Sequence, residues 1–229
     1  MTGNSSRAFT LFELFVVIAV IGILISIAYP TYTSILERAK RTKDMNNLRQ
    51  VGLAIQTYLN DNDQILPPTT IWPGTTATPV LYPKYISTRK IFQSPFDNRT
   101  SLETDLAPVS YSINANMYIA ATATPPGIER SMAKVVSPAS TILMAPMYNG
   151  DPKTAASWTG TPTSPPGAPD LPAGGGAGET TGTHENGTQI NALFCDSHVE
   201  TLKFGPSTAE GSFQDTTLPL GLKHWDPTK

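Results

Sequence analysis

The fold is decided by residues 9–30, which read FTLFELFVVIAVIGILISIAYP. Within this stretch, residues 14–28 contain one polar side chain, Ser26, and no charged residue. A helix needs about 20 predominantly apolar residues to cross the hydrocarbon core of a bilayer, and this stretch has that length. The sequence therefore predicts a membrane-spanning helix over these residues.

A cleaved signal peptide and a buried core helix are the two alternatives to a membrane span here. A signal peptide would end in a small-x-small cleavage site, whereas this stretch ends in Ala28, Tyr29 and Pro30. A buried core helix is less favoured, because Leu and β-branched residues cover every face of this helix. Glu13 is the unusual residue, because an acid inside a membrane segment is costly and indicates a function.

The same stretch, together with the residue before it, resembles the amino-terminal signal of type IV pilins and type II secretion pseudopilins. In that family a short leader ends in Gly, the mature chain begins with Phe or Met, and a Glu and a Pro follow at fixed places. Phe9, Glu13 and Pro30 occupy those places here, whereas Ala8 stands where the family has Gly. The resemblance implies that a prepilin peptidase cuts between Ala8 and Phe9 and methylates the new amine of Phe9. It also implies that Glu13 and Pro30 serve assembly.

The resemblance further implies a location and a set of partners. The chain would cross the bacterial inner membrane once, with its C-terminal body in the periplasm or outside the cell, and would enter a filament after assembly. Its partners would be copies of itself and other pilin-like subunits, the prepilin peptidase, an inner-membrane assembly platform with its ATPase, and membrane lipid.

One charge pattern favours the opposite orientation. The leader carries only Arg7, whereas four basic residues follow the span, and positive charge usually stays in the cytoplasm; they are Arg38, Lys40, Arg41 and Lys43. We give the motif more weight, because these charges begin eight residues after Pro30 and alternate with apolar positions, as on a helix face.

Residues 31–60 continue the helix with an amphipathic pattern. Apolar residues recur at spacings near three and four, at Ile35, Ala39, Leu48, Val51, Ile55 and Tyr58 or Leu59. The residues between them predict a polar opposite face that consists of Glu37, Arg38, Lys40, Arg41, Asp44, Asn47, Arg49 and Gln50. The sequence thus predicts one helix over residues 9–60, which spans the membrane over residues 9–30. A kink is expected at Pro30, because proline lacks the N–H that the helix needs.

Residues 61–229 are predicted to form a globular body of short elements between breakers. Candidate strands or short helices are residues 80–86, 110–113, 117–121, 141–144, 189–194 and 198–204. The last two are predicted to form a hairpin. Residues 148–182 are rich in Pro, Gly, Ser and Thr and predict a long loop. With residues 1–8 as a leader, the predicted fold class is α+β, in which a long kinked helix packs on a small antiparallel sheet.

Two of the three candidate metal ligands lie at the predicted hairpin turn, and the third precedes the first strand of the hairpin. The surroundings of this turn are similar to pilin-like proteins that carry a His, a spacer and then Asp-Gly-His. Here His184 precedes Asp196, Ser197 and His198, so that Ser197 stands where Gly would adopt a left-handed conformation at no cost. Two histidines and a carboxylate are legitimate metal ligands. We favour the structural interpretation, in which Asp196 orders the turn through its own backbone and His198 caps the sheet.

The sequence indicates no firm cofactor. Calcium is a separate option, with oxygen atoms from Asp61, Asn62, Asp63 or Asp151, although the sequence contains no twelve-residue calcium loop. Cys195 ends an apolar run and is expected to be buried and inert rather than a nucleophile.

Composition and motifs exclude several classes of function. A formal net charge of −2 over 229 residues excludes a nucleic-acid binder that acts through a large basic surface. No nucleophile elbow, dinucleotide-binding loop, phosphate loop or His-Glu-x-x-His occurs, so an enzyme is not expected. The prediction is a structural subunit of a pilus-like filament, most like a type II secretion pseudopilin that assembles through its N-terminal helix to support protein secretion. Two alternatives stay open, a type IV pilin for adhesion or motility and a single-span membrane protein that binds a ligand.

Overall fold

The structure is a computed structural model that describes residues 10–68, 80–100, 108–119, 127–148, 151–158, 160, 182–204 and 219–229. Its helices and strands, in chain order, are α1 (Leu11–Asp61), β1 (Tyr111–Ile113), β2 (Ile142–Pro146), β3 (Gln189–Phe194), β4 (Val199–Lys203) and α2 (Pro219–Trp225). Short 3-10 helices lie at Arg89–Phe92, Ala115–Met117, Met132–Lys134 and Ala155–Ser157. The chain divides into two compact units, of which the first ends at Ala39 and the second begins at Lys40.

The four strands form one antiparallel sheet in the order β1-β2-β3-β4. β3 and β4 are a hairpin in which Leu193 pairs with Val199 and Gln189 pairs with Lys203. The predicted α+β class and the antiparallel sheet are confirmed. Strand β1 lies within the predicted residues 110–113, and strand β2 overlaps the predicted residues 141–144 and continues to Pro146. Both runs contain the β-branched or aromatic residues that strands favour.

The two faces of the sheet bury different clusters. Side chains alternate along a strand, so successive residues of β3 point to opposite faces. Leu193 belongs to the apolar cluster that includes the C-terminal half of α1. Its neighbours Ala192 and Phe194 belong to a second cluster, which Trp225 of α2 joins. The sheet is therefore covered on both faces.

The buried face of α1 agrees with the predicted stripe in its second half only. Leu48, Val51, Ile55 and Leu59 are fully buried, at 1% exposure or less. The prediction was wrong at Ile35 and Ala39, which are exposed. Both residues precede Lys40, where the globular unit begins. The apolar spacing therefore continues into a part of α1 that lies outside the globular unit.

The predicted polar face of α1 was also wrong at two positions. Asp44 and Asn47 are buried, with exposures of 0% and 6%. Asp44 stands four residues before Leu48, so it lies on the same face of the helix as the apolar stripe. The side chain is accommodated there because neutral hydrogen-bond donors surround its carboxylate, as described below.

The end of α1 follows from the breakers in the sequence. Helix α1 ends at Asp61, one residue after the predicted end. Asp63 and Gln64 then adopt left-handed conformations, with φ angles of 51° and 60°, and the Gln64 N–H donates to the Leu59 carbonyl at 2.9 Å. Such bonds satisfy carbonyl groups that the helix end leaves without partners. The predicted first residue, Phe9, lies outside the described residues.

Two predicted elements differ from the structure. Residues 80–86 form a turn, in which the N–H groups of Tyr85 and Ile86 both donate to the Leu81 carbonyl. Pro83 has no N–H to give to a strand ladder, which explains why the run does not extend. Met117 ends a 3-10 helix capped by the Asn114 side chain rather than starting a strand, and residues 120–121 lie outside the described residues.

Most of the predicted loop at residues 148–182 lies outside the described residues. Its described part contains a 3-10 helix at Ala155–Ser157 and a buried tryptophan, Trp158, whose Nε1–H donates to the Pro152 carbonyl at 2.7 Å. Trp158 clusters with Phe96 and Tyr148. This part of the loop therefore folds back on the body.

Candidate functional site

The N-terminal half of α1 presents its apolar side chains to the exterior. The side chains of Leu11, Phe12 and Ile27 are 86%, 73% and 67% exposed. Among the described residues α1 is the helix that is long and apolar enough to cross a membrane, and none of its most apolar part is buried in the protein. A run of this size is not left in water by a soluble monomer, so it requires lipid or other helices around it.

Glu13 and Thr10 form a reciprocal cap at the start of α1. The backbone N–H and the hydroxyl of Thr10 donate to Oε2 of Glu13 at 2.9 and 2.8 Å. The Glu13 N–H donates to the Thr10 hydroxyl at 3.2 Å. This arrangement is a capping box, which satisfies N–H groups that the first turn leaves without a partner. Within this one chain, the Glu13 carboxylate therefore complements its own helix.

Pro30 lies inside α1, and the helix is continuous on both sides of it. Hydroxyl groups near it donate to backbone carbonyls of the preceding turn, including Ser26 to Ile23 at 2.7 Å and Thr33 to Pro30 at 3.0 Å. Such bonds satisfy the polar side chains of an apolar segment without a partner from outside the helix. The kink predicted at Pro30 stays a prediction. Ala8 and Phe9 lie outside the described residues.

A buried polar network joins α1 to the sheet at Asp44. The hydroxyl groups of Ser94 and Tyr111 each donate to Oδ1 of Asp44 at 2.6 Å, and Nδ2 of Asn191 donates to Oδ2 at 2.8 Å. These three donors come from the loop after the 3-10 helix at Arg89–Phe92, from β1 and from β3. All of them are neutral, so the carboxylate is held by hydrogen bonds rather than by an ion pair.

Burial dominates the protonation chemistry of this network. It raises the pKa of the Asp44 carboxyl above its usual range, and the three donated hydrogen bonds oppose that shift. Burial also raises the pKa of the Tyr111 phenol, helped by the neighbouring Asp44 charge. Burial of the ionised carboxylate therefore costs free energy, which the three donated hydrogen bonds offset in part.

The Asp44 network continues to a buried ion pair. Ser110 links the two, because its hydroxyl accepts from the Ser94 N–H at 2.9 Å and donates to Oδ2 of Asp97 at 2.7 Å. Nη2 of Arg99 lies 2.6 Å from Oδ2 of Asp97, and the side chains are 16% exposed in Arg99 and 0% exposed in Asp97. Arg99 also donates to the carbonyl groups of Val109 and Gly160, so this loop is tied to two other segments.

Sequence reasoning placed Asp44 on the solvent side because of its residue type. A signal that could have located it was present, because Asp44 stands in phase with Leu48, Val51 and Ile55. The donors could not have been found in the same way, since Ser94, Tyr111 and Asn191 are remote in sequence and meet only in the folded chain.

The structure does not bring the three candidate metal ligands together. His184 pairs with Gln189 at the first residue of β3, whereas Asp196 and His198 follow its last residue. At about 3.4 Å per residue, β3 separates these places by about 17 Å. In the described part of the chain no group of three His, Cys, Asp or Glu side chains is arranged to hold a metal ion.

In the hairpin turn, Asp196 and His198 make the structural contacts that the sequence analysis favoured over metal binding. Oδ1 of Asp196 accepts from the His198 N–H at 3.1 Å and also contacts Nδ1 of the His198 ring. Ser197 adopts the left-handed conformation that its position predicts, with a φ of 72°. The His198 ring stacks on Phe194 with centroids 4.3 Å apart. Asp196 therefore orders the turn, and His198 covers the end of the sheet.

His184 occupies a different, buried place. Its ring stacks on Phe96 with centroids 5.3 Å apart, and its Nδ1 lies 3.1 Å from the Thr183 hydroxyl. Its Nε2 has no hydrogen-bond partner among the described residues, and the same holds for the hydroxyl of Tyr148. Burial, with a smaller effect from the charge of Arg41, lowers the pKa of His184 to about 4.

Two of the candidate calcium ligands, Asp61 and Asp151, have other partners. Oδ2 of Asp61 accepts from the Tyr85 hydroxyl at 2.8 Å and from Nζ of Lys84 at 3.3 Å. The Asp151 carboxylate accepts from the Lys153 N–H at 2.9 Å. The amide of Asn62 donates to the Tyr58 carbonyl at 2.8 Å, which leaves its side-chain oxygen as the acceptor that calcium would need.

Cys195 is buried, as its apolar run predicts. Burial raises the pKa of its thiol well above the ordinary value, and the Asp196 charge adds to this shift. A thiol whose pKa is raised carries little thiolate at neutral pH and is a poor nucleophile.

Comparison with known proteins identifies the N-terminal segment. Residues 3–29 match the family described as the prokaryotic N-terminal methylation motif. The chain is 36% identical over 59 residues to the type IV major pilin protein PilA of Myxococcus xanthus, which covers 26% of this chain and 27% of that protein. It is 40% and 42% identical over 58 and 55 residues to two type IV major fimbrial proteins FimA of Dichelobacter nodosus. These matches cover 25% and 24% of this chain, and 37% and 34% of those proteins.

These matches define the class of the N-terminal helix. It carries the methylation motif of type IV pilins and pseudopilins and is homologous to type IV major pilins, which are structural proteins and not enzymes. The chain spans between 27% and 37% of the length of the curated relatives it matches. No solved structure gives a significant match to this chain.

Proposed function

We propose that this chain is a subunit of a type IV pilin-like filament and that it assembles through α1. One observation carries the proposal, namely that the methylation motif at residues 3–29 leads into a helix whose apolar half is exposed in the single subunit. Lipid covers this surface before assembly, and the equivalent helices of neighbouring subunits cover it in the filament.

The proposal includes removal of residues 1–8 as a leader. A prepilin peptidase cuts between Ala8 and Phe9 and methylates the new amine of Phe9. The motif match spans both residues, which supports this step. Ala8 is small enough for a narrow protease subsite, so the departure from Gly slows cleavage without preventing it.

Glu13 guides assembly in this proposal. After cleavage it lies four residues from the new amine of Phe9, or about 6 Å along the helix axis. An ionised side chain at the centre of a bilayer costs about 2.5–3.5 kcal/mol on insertion scales. A pair between Glu13 and the Phe9 amine of an axially shifted neighbour relieves two such charges together. The capping box with Thr10 holds the carboxylate until that amine arrives.

The proposed location rests on the same helix. Residues 9–30 cross the bacterial inner membrane once, residues 31–60 are the amphipathic half of the helix, and residues 61–229 form the body in the periplasm or outside the cell. Partners are copies of this chain and other pilin-like subunits, the peptidase, membrane lipid, and an assembly platform with its ATPase. No metal, cofactor or nucleic acid belongs to the proposal.

Among filament subunits, we propose a type II secretion pseudopilin that supports protein secretion. A type IV pilin for adhesion or motility is the second candidate, and the names of the matched relatives favour it. The two differ in phenotype, because loss of a pseudopilin blocks secretion, whereas loss of a type IV pilin removes surface fibres together with adhesion or motility.

Electron microscopy of sheared surface material tests the filament itself. The proposal would be supported if antibodies against the body of this chain bind along the fibres. A chain that stays in the membrane, in cells whose other pilin-like subunits form fibres, would instead favour a single-span ligand-binding protein. Intact-mass analysis of the membrane-extracted chain tests processing. We expect the mass of residues 9–229 with an N-methylated Phe9, and a chain that still carries residues 1–8 would contradict the processing step.

A further inference from the structure

The repeat of three aliphatic side chains in α1 defines the axial position of the helix on the sheet only in part. Val51, Ile55 and Leu59 are buried at 1% exposure or less and repeat every four residues. Four residues correspond to about one helical turn, or 6 Å along the axis. A slide of α1 by one turn in either direction puts an aliphatic side chain in the place of another at two of these three positions, so this repeat by itself separates the two registers weakly.

Asp44 removes this ambiguity. A slide by one turn would bring either Leu48 or Lys40 to its place. Leu48 would leave the donors of Ser94, Tyr111 and Asn191 without an acceptor, and Lys40 would place a fourth donor among them. A buried donor without an acceptor is strongly disfavoured, so this site accepts a carboxylate and little else.

We propose that Asp44 is a register lock, which fixes the rotation and the axial position of α1 on the sheet within the unit that begins at Lys40. Three donors from three separate segments meet one carboxylate, and they do so in one register only. A single buried polar residue can set helix register in this way. The lock acts within one molecule, so it stands or falls independently of the filament proposal.

Gly52 adds a second, softer restraint and supplies a reporter. A Cβ atom at Gly52 would lie 2.9 Å from Cδ1 of Leu193, which is the end of a flexible side chain and can turn away. The same Cβ would lie 3.7 Å from Cβ of Ser197. That separation falls in the range of about 3.5–4.5 Å that a disulfide requires. A cysteine pair at positions 52 and 197 thus reports the native register.

The experiment compares two cysteine pairs in the full chain, purified in detergent micelles and carrying Cys195→Ser. One pair is Gly52→Cys with Ser197→Cys, and the other is Gln56→Cys with Ser197→Cys, which reports a slide of one turn. With Asp44 present, we expect the 52–197 bond to form at least about tenfold faster than the 56–197 bond, as judged by mass spectrometry of oxidised peptides.

Variants of the lock then decide the proposal. Asp44→Leu should bring the two rates within about threefold of each other. Asp44→Asn should also reduce the preference for the 52–197 bond, because the new amide group faces the amide group of Asn191. Adding Asn191→Asp should restore this preference, because residue 44 then donates the hydrogen bond and residue 191 accepts it. This exchange decides the question if Asp44→Leu does not fold. An unchanged preference in Asp44→Leu or Asp44→Asn would overturn the proposal, and so would a folded exchange variant without the native preference.

Discussion

Acidification should destabilise the folded protein through His184. The residue is 2% exposed, and burial lowers the pKa of its imidazole from 6.5 to about 4. The folded chain therefore keeps the ring neutral, while the unfolded chain takes up a proton near the ordinary pKa of 6.5. This contribution to stability is complete above the unfolded pKa and is lost as the pH falls towards the folded one.

The size of the effect follows from the two pKa values. A difference of one pKa unit corresponds to 1.36 kcal/mol, so lowering the pH from about 7.5 to about 4.5 removes at most about 2.5 kcal/mol of stability. Other titrating groups contribute as well, and for that reason the measured quantity is the difference between the parent and a variant without the imidazole.

The assay is denaturant unfolding of the full chain in detergent micelles, followed by tryptophan fluorescence. His184→Phe keeps the stacking on Phe96 and should lack this part of the pH dependence. Its free energy of unfolding, relative to that of the parent, should therefore rise by about 2 kcal/mol as the pH falls over that range. Tyr148→Phe is the control, because it removes a second buried and unpartnered polar atom of the same region. Its effect on stability should be equal at both pH values.

A constant difference between the parent and His184→Phe over this range would refute the reasoning. It would mean that the imidazole titrates alike in the folded and the unfolded chain.

Other predictions concern the Asp44 network, the hairpin turn and the globular unit. Asp44→Ala should lower the free energy of unfolding by about 3 kcal/mol, because it leaves buried donors unpaired, whereas Asp61→Ala, at the exposed end of α1, should change the denaturation midpoint little. Ser197→Gly should raise stability by about 1 kcal/mol, because glycine adopts a φ of 72° without strain, and a lower melting temperature would contradict this. Removal of residues 1–35 should leave a soluble monomer that melts cooperatively, since the globular unit begins at Lys40; aggregation of the fragment would contradict that division.

The sequence predicts long periodic elements well and short ones poorly. Helix α1 and the β3–β4 hairpin could be located because their apolar patterns persist over many residues. Even the strained turn residue could be identified, because Ser197 stands where glycine is expected. Residues 80–86 and 117–121 are short apolar runs, and such runs fit a strand, a turn or a 3-10 helix equally.

The buried polar groups were the hardest to predict, because tertiary contacts decide where they lie. Asp44 was placed on the polar face by its type, although its spacing from Leu48 put it on the buried one. His184 was grouped with Asp196 and His198 by motif spacing, whereas pairing with Gln189 holds it at the other end of β3. The chemistry of both residues depends on neighbours that are remote in sequence.

The most direct test of the central claim is the abundance of sheared filaments from cells that carry Glu13→Gln. Glutamine can replace glutamate in a capping box with Thr10, because its side-chain oxygen still accepts the same hydrogen bonds, but it has no charge to pair with an amine. If Glu13 guides assembly by pairing with the Phe9 amine of a neighbour, the variant should be cleaved and inserted normally and yet be absent from filaments. Normal filament abundance with Glu13→Gln would contradict the account and leave Glu13 as a cap of its own helix.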